Sequence, residues 1–151
     1  MNADQVISLL GLEPLPSEGG MWTRIWLDDH GSAIYFLMRP GDFSAMHRLD
    51  APEIWHHYLG APASMLLLHP GGSVGQPVLG KDLTEGQRPC VTVPAGVWMG
   101  ASTTGDWSLV GATMAPPWHP DRFELGDCAD LIDQYPRAAG RIEELTRTDL
   151  R

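Results

Sequence analysis

The sequence predicts an all-β fold, an antiparallel barrel or sandwich of short strands with small helices at its two ends. Three observations carry this. Glycine and proline are frequent, 17 and 13 of 151 residues, and they punctuate the chain between short apolar runs. Those runs either alternate or are continuously apolar, and they are rich in Ile, Val, Trp and Tyr, as strands are. Helical periodicity is confined to residues 2–10 and to the tail beyond Asp127.

Taken in order, Asn2 to Leu10 reads as a short helix capped by Asn2 and stopped by Gly11, with Val6, Leu9 and Leu10 on one face. Pro14, Pro16 and Glu18-Gly-Gly20 form an irregular entry loop. Met21 to Leu27 sets Trp22, Arg24 and Trp26 against Met21, Thr23, Ile25 and Leu27, a strand with two apolar faces. Asp28 to Gly31 is a turn, Ala33 to Met38 a buried strand, and Pro40-Gly41-Asp42 a second turn. After the central stretch treated below come strands over Ala63 to His69, Val74 to Leu79 and Val97 to Ala101. Pro89 to Val93 leads into the Pro94-Ala95-Gly96 turn, and Thr103 to Asp106 makes a hairpin into Trp107 to Ala115. Asp127 to Tyr135 and Pro136 to Arg147 read as helices, with Leu131, Ile132, Tyr135, Ile142 and Leu145 as packing positions. No linker, repeat or low-complexity segment divides residues 1–151, and the length suits one domain with its own core.

A formal net charge of −9 and a pI near 4.9 repel phosphate backbones and anionic lipid, so nucleic acid and membranes are excluded as partners. With no leader and no apolar run of transmembrane length, the chain is expected to be cytoplasmic. Its two cysteines, Cys90 and Cys128, are then expected to stay reduced.

The chain is organised around Phe43 to Gly60, which gathers His47, Glu53, His56, His57, Trp55 and Tyr58. On a strand from Glu53 to Gly60, parity puts Glu53, Trp55, His57 and Leu59 on one face and Ile54, His56 and Tyr58 on the other. Both faces are largely apolar, so the strand is expected to be covered on both sides. A buried Glu53 needs a partner, and His47 is the nearest candidate.

This stretch resembles the first motif of the cupin superfamily: Gly41, His47, Glu53 and Gly60 fall on it, with Leu49 at the position of its second histidine. Pro94-Ala95-Gly96 resembles the second motif, with Met99 at the position of its histidine. Phrases in order along the chain, among them Glu18-Gly-Gly20, Ser32 to Phe36, His47 to Asp50, Glu53 to His56, Leu68-His-Pro70, Val93 to Trp98, Leu109-Val-Gly111 and Phe123-Glu-Leu125, resemble the small branch called cupin family 5. That resemblance implies a cupin barrel (a double-stranded β-helix or jelly roll) similar to metal-free dTDP-sugar epimerases, and a homodimer. Two stretches depart from the branch, Met21 to Ile25 and Pro117-Trp118-His119, and both are expected at the pocket.

If Glu53 points into the barrel, as the matched position implies, His47 does too, and parity adds Leu49, Trp55 and His57. The second motif brings Met99, and Trp98 is expected to help shape the pocket. A mostly apolar cavity with one His and Glu pair suits a small-molecule site. There, His47 would serve as general base and Glu53 would orient and charge-stabilise it, for epimerisation, isomerisation or elimination. A non-catalytic module that binds a sugar or metabolite is the competing reading. The bland alternatives stand beside both. His47 and Glu53 could be a structural pair, the tryptophans Trp22, Trp26, Trp55 and Trp98 core, Met99 packing, and His69 and His119 ordinary loop residues. Of His56 and His57 at most one lines the cavity. No cofactor is expected. A divalent transition metal on His47, Glu53 and His57 is possible by donor type and ranks below the metal-free reading, because two of four ligand positions are replaced.

Overall fold

The computed structural model describes residues 1–16 and 19–147, so Glu18 of the entry loop lies outside the described residues. The strands are β1 Glu13–Pro14, β2 Met21–Leu27, β3 Ser32–Met38, β4 Ser44–Leu49, β5 Glu53–Gly60 and β6 Ala63–Leu68. They continue with β7 Val74–Gly75, β8 Val78–Leu79, β9 Cys90–Val93, β10 Trp98–Thr103, β11 Ser108–Met114 and β12 Phe123–Leu125. The helices are α1 Ala3–Leu10, α2 Cys128–Gln134 and α3 Ala139–Glu144. All strand pairs are antiparallel. One sheet runs β1-β2-β3-β11-β5-β9, the other β12-β4-β10-β6-β7, with β8 also paired to β6.

The two sheets close over one core. Phe36, Met38, Leu49, Trp55, Met65, Met99, Val110 and Met114 come from the inner faces of both, each less than a tenth exposed. A second cluster forms behind the second sheet, where Met46, Leu66, Leu68 and Trp98 meet Leu131, Tyr135, Ile142 and Leu145 of the C-terminal helices. Among the described residues, the outer face of the first sheet carries only α1, at one end, against Leu37 and Leu109.

Several expectations change here. Helix α1 is capped at Asn2 and stopped at Gly11 as its sequence suggests, but Leu9 is 74 % exposed. The packed face is Ala3, Val6, Ile7 and Leu10, the i, i+3, i+4, i+7 stripe, and Leu9 falls off it. The expected strand Val74 to Leu79 splits into β7 and β8 before and after Pro77, which has no N–H to give the ladder. β5 is not covered on both sides. Ile54, Tyr58 and Leu59 are exposed, because the C-terminal helices pack on the other sheet. A register shift opposite Leu109 and Val110 also takes Leu59 off the face it would share with His57.

A second irregularity shapes the interior. On β4 and β10, His47 pairs with Met99 but Ser44 pairs with Ala101, so β4 holds one extra residue and Ser44 and His47 both face inward. Gly100 lies opposite this bulge. A Cβ there would stand 2.6 Å from the Met46 sulfur and 3.0 Å from the Ser44 carbonyl oxygen. Met46 N–H donates to the Leu145 carbonyl at 2.8 Å, and the Met46 carbonyl accepts from Gly126 N–H at 2.8 Å. The chain segments on either side of α2 and α3 therefore hold the bulge in place.

Candidate functional site

A cavity of about 400 Å³ enters the barrel between the first sheet and the Trp118 loop. Its floor and walls are Ile34, Ala112, Met114 and Glu53, and Leu15, Trp22, Trp118 and Phe123 stand around its outer part. Deeper in, a recess of about 50 Å³ shares Ile34, Glu53, Ala112 and Trp118 with it and ends at Ser44, His47 and Trp55. The wall is mostly apolar, so a polar group placed there interacts in a weakly screened environment.

Among the described residues, His47 and Glu53 are the ionisable groups of the recess, 4 % and 8 % exposed. His47 Nδ1 lies 2.7 Å from the Ala45 carbonyl oxygen. A carbonyl can only accept, so Nδ1 carries a proton and Nε2 is the nitrogen that gains or loses one. The bulge makes this contact possible, since it leaves Ala45 without a partner across the ladder. Phe123 stacks on the ring, with centroids 5.4 Å apart and planes at 24°. Trp55 Nε1–H donates to Glu53 Oε1 at 3.0 Å. That bond orients the carboxylate and supplies part of the compensation a buried acid needs.

The other expected site residues separate. Trp55 lines the recess. Leu49 and Met99 are interior but packed in the core with Trp55, away from the cavity wall. Trp98 is a correction: it faces the C-terminal helices on the outer side of the second sheet, with the Arg48 guanidinium carbon 4.5 Å from its ring centroid. Neighbouring residues of a strand face opposite ways, so Met99 and Trp98 could not both reach one cavity. His57 points inward and is 8 % exposed, yet it is absent from the wall of either compartment. Its Nε2–H donates to the Ala61 carbonyl at 3.0 Å, and its Nδ1 is buried without a hydrogen-bond partner.

His56 is on the outer face. Its Nδ1 lies 3.4 Å from the Cys90 Sγ and its Nε2 3.1 Å from the Thr113 Oγ1. Desolvation by burial holds its imidazole below the usual histidine range. Folding therefore favours the neutral ring, and the unfolded chain takes up this proton at higher pH than the folded one. The sign follows: stability falls as pH drops through about 6.5 toward the lower folded value. Urea midpoints measured at pH 7.5 and pH 5 are expected to fall more in the wild type than in His56→Gln. Equal falls would remove His56 from the account.

Sequence reading missed the outer chamber. Leu15, Pro16, Ser32, Ile34, Ala112, Met114 and Pro120 line it without having been expected there. The signals that were present are the inward parity of Trp22 and Arg24 and the Pro116 to Pro120 loop, which does form a rim. Trp118 N–H donates to Ser32 Oγ at 2.9 Å and fixes that rim to β3. The two stretches that depart from the resembled branch thus both reach the cavity, through Trp22, Arg24 and Trp118.

Leu49 and Met99 occupy two of the four ligand positions that the resemblance implies, and His57 does not join His47 and Glu53. Among the described residues no three His, Cys, Asp or Glu side chains come together as a ligand set. Nor is any described helix long and apolar enough to cross a membrane.

Residues 4–126 match the model of the family described as Cupin superfamily (DUF985). A crystal structure of a protein from Shewanella oneidensis is 34 % identical, with 97 % of this chain and 98 % of that chain covered and a TM-score of 0.91. A hypothetical protein from Leishmania major is 24 % identical over 97 % of this chain and 99 % of that one, with a TM-score of 0.88. A cupin 2 conserved barrel domain protein from Rhodopseudomonas palustris shares the fold at 18 % identity and a TM-score of 0.61, covering 91 % and 90 % of the two chains. No curated protein matches the sequence.

Proposed function

Because the chain belongs to the cupin superfamily, in its DUF985 family, we propose that its barrel cavity is a small-molecule active site for acid-base chemistry of the isomerase, epimerase or lyase kind. The observation that carries this reading is the placement of His47 and Glu53, nearly solvent-free, in the deep part of a mostly apolar cavity. A structural pair alone would not need an open chamber leading to it. His47 Nε2 takes a proton from a carbon acid bound above it, and the Nδ1–H bond to Ala45 holds the ring at a fixed angle while charge develops on it. Glu53, oriented by Trp55, stabilises the imidazolium. The chemistry is of the class attributed to metal-free sugar epimerases, and no step calls for a cofactor.

We place the protein in the cytoplasm as a homodimer. Support for the dimer is the outer face of the first sheet, where Ile25, Ile54 and Tyr58 are exposed in an otherwise acidic chain.

The test is solvent exchange. The protein is transferred to D₂O with a panel of sugars, hydroxy acids and keto acids, and carbon-bound deuterium is followed by NMR. Catalytic wash-in of deuterium into at least one compound is expected. If compounds bind and are recovered without deuterium or product, the cavity is a binding module and the catalytic reading fails.

A further inference from the structure

Among the described residues, one cation, Arg24, lines the outer chamber. It reaches that wall because β2 keeps Trp22 and Arg24 on the inner face, and the register slips only after Arg24, between it and Trp26. Among the described arginines, Arg39, Arg48, Arg122 and Arg141 each meet a carboxylate within 4 Å, on Asp42, Glu124, Asp50 and Glu144. Arg24, like Arg88, Arg137 and Arg147, meets none among the described residues. Its neighbour is the Trp22 ring, 5.5 Å from the guanidinium carbon, a contact that leaves the N–H fork available. The other charged wall residue, Glu53, sits where the chamber meets the inner recess and accepts from Trp55, and it makes no ion pair with Arg24.

From this we infer that Arg24 is an anion anchor and that the ligand of this cavity is an organic monocarboxylate with an apolar, planar body. The carboxylate meets the Arg24 fork at the mouth, the body lies between Trp22, Trp118 and Phe123, and the far end points to His47 and Glu53. One cation in an acidic protein matches one negative charge. A phosphate monoester carries nearly two and would call for a second cation, which the wall lacks. The inference rests on the proposed small-molecule reading of the cavity and names its substrate class.

The test uses a matched pair of probes, phenylacetate and phenylacetamide, which share a body and differ in charge. Phenyl phosphate serves as a third. Binding is followed by tryptophan fluorescence and isothermal titration at low salt. The wild type is expected to prefer phenylacetate over phenylacetamide by ten-fold or more, and phenyl phosphate is expected to bind no better than phenylacetate. In Arg24→Gln the preference should collapse to within two-fold while phenylacetamide binding is unchanged; Arg24→Lys should restore part of it. Equal binding of the pair by the wild type, or a preference that survives Arg24→Gln, overturns the anchor and leaves the small-molecule cavity intact. The absence of saturable binding by any probe overturns it as well. His47→Gln separates the two readings: it should leave the preference unchanged, whereas the acid-base proposal fails or stands on deuterium exchange.

Discussion

Replacing His47 with glutamine is expected to slow deuterium exchange into a turned-over compound by roughly 10²- to 10⁴-fold, the usual contribution of a positioned general base. Binding should change by only a few-fold. Glutamine keeps a neutral, hydrogen-bonding side chain of similar reach in a site 4 % exposed, but its amide cannot take the proton that Nε2 takes. Glu53→Gln is the companion variant. It preserves an oxygen for Trp55 Nε1–H and removes the charge, so a smaller loss is expected. Because both residues are buried, thermal melts of the variants accompany the rates. An exchange rate in His47→Gln within three-fold of wild type, with the fold intact, would remove His47 from the chemistry and leave the pair a structural one.

The second large effect concerns the glycine that closes the central motif. Gly60 has φ +78°, and a Cβ built there would stand 2.5 Å from the Trp107 carbonyl oxygen and 2.7 Å from the Trp107 ring. That same carbonyl accepts the Ala61 N–H at 2.8 Å. Gly60→Ala therefore meets a left-handed backbone cost of about 1 kcal/mol, an overlap with backbone that cannot rotate away, about 1–3 kcal/mol, and a loosened hydrogen bond. We expect a total of about 3 kcal/mol, or a Tm lower by about 6–12 °C for a chain of this size. Gly96→Ala is the control. Its φ of +82° is similar, but nothing lies within 4 Å of the added Cβ, so only the cost of about 1 kcal/mol for the left-handed backbone remains. Equal losses in the two variants would show that the dihedral, and not the close approach of Trp107, makes Gly60 necessary.

Gly60 and Gly96 also show how far local reading goes. Both are legible in the sequence as the glycines of two turn-closing motifs, because a positive φ is a property of the residue itself. Their difference in packing is not legible, since Trp107 approaches Gly60 from the segment just before β11, nearly fifty positions along the chain.

The sequence by itself determined most of the strands and turns and the inward direction of Glu53, Trp55 and His57 along β5, but not the outward turn of Leu59. These follow from period-two alternation and from glycine and proline chemistry, both local. It placed Glu53, Trp55 and His57 on one inner face, His56 on the other, and the helical tail at the C-terminus. Depth was decided only in three dimensions. Glu53 and His57 share a face but are four residues apart, about 13 Å along a strand, so His57 falls beyond the recess that Glu53 lines. The cavity mouth was likewise a tertiary product. Leu15, Arg24, Trp118 and Phe123 come from four separate segments, and nothing short of the closed barrel brings them around one opening, because a pocket is made where elements meet and a sequence pattern describes each element alone.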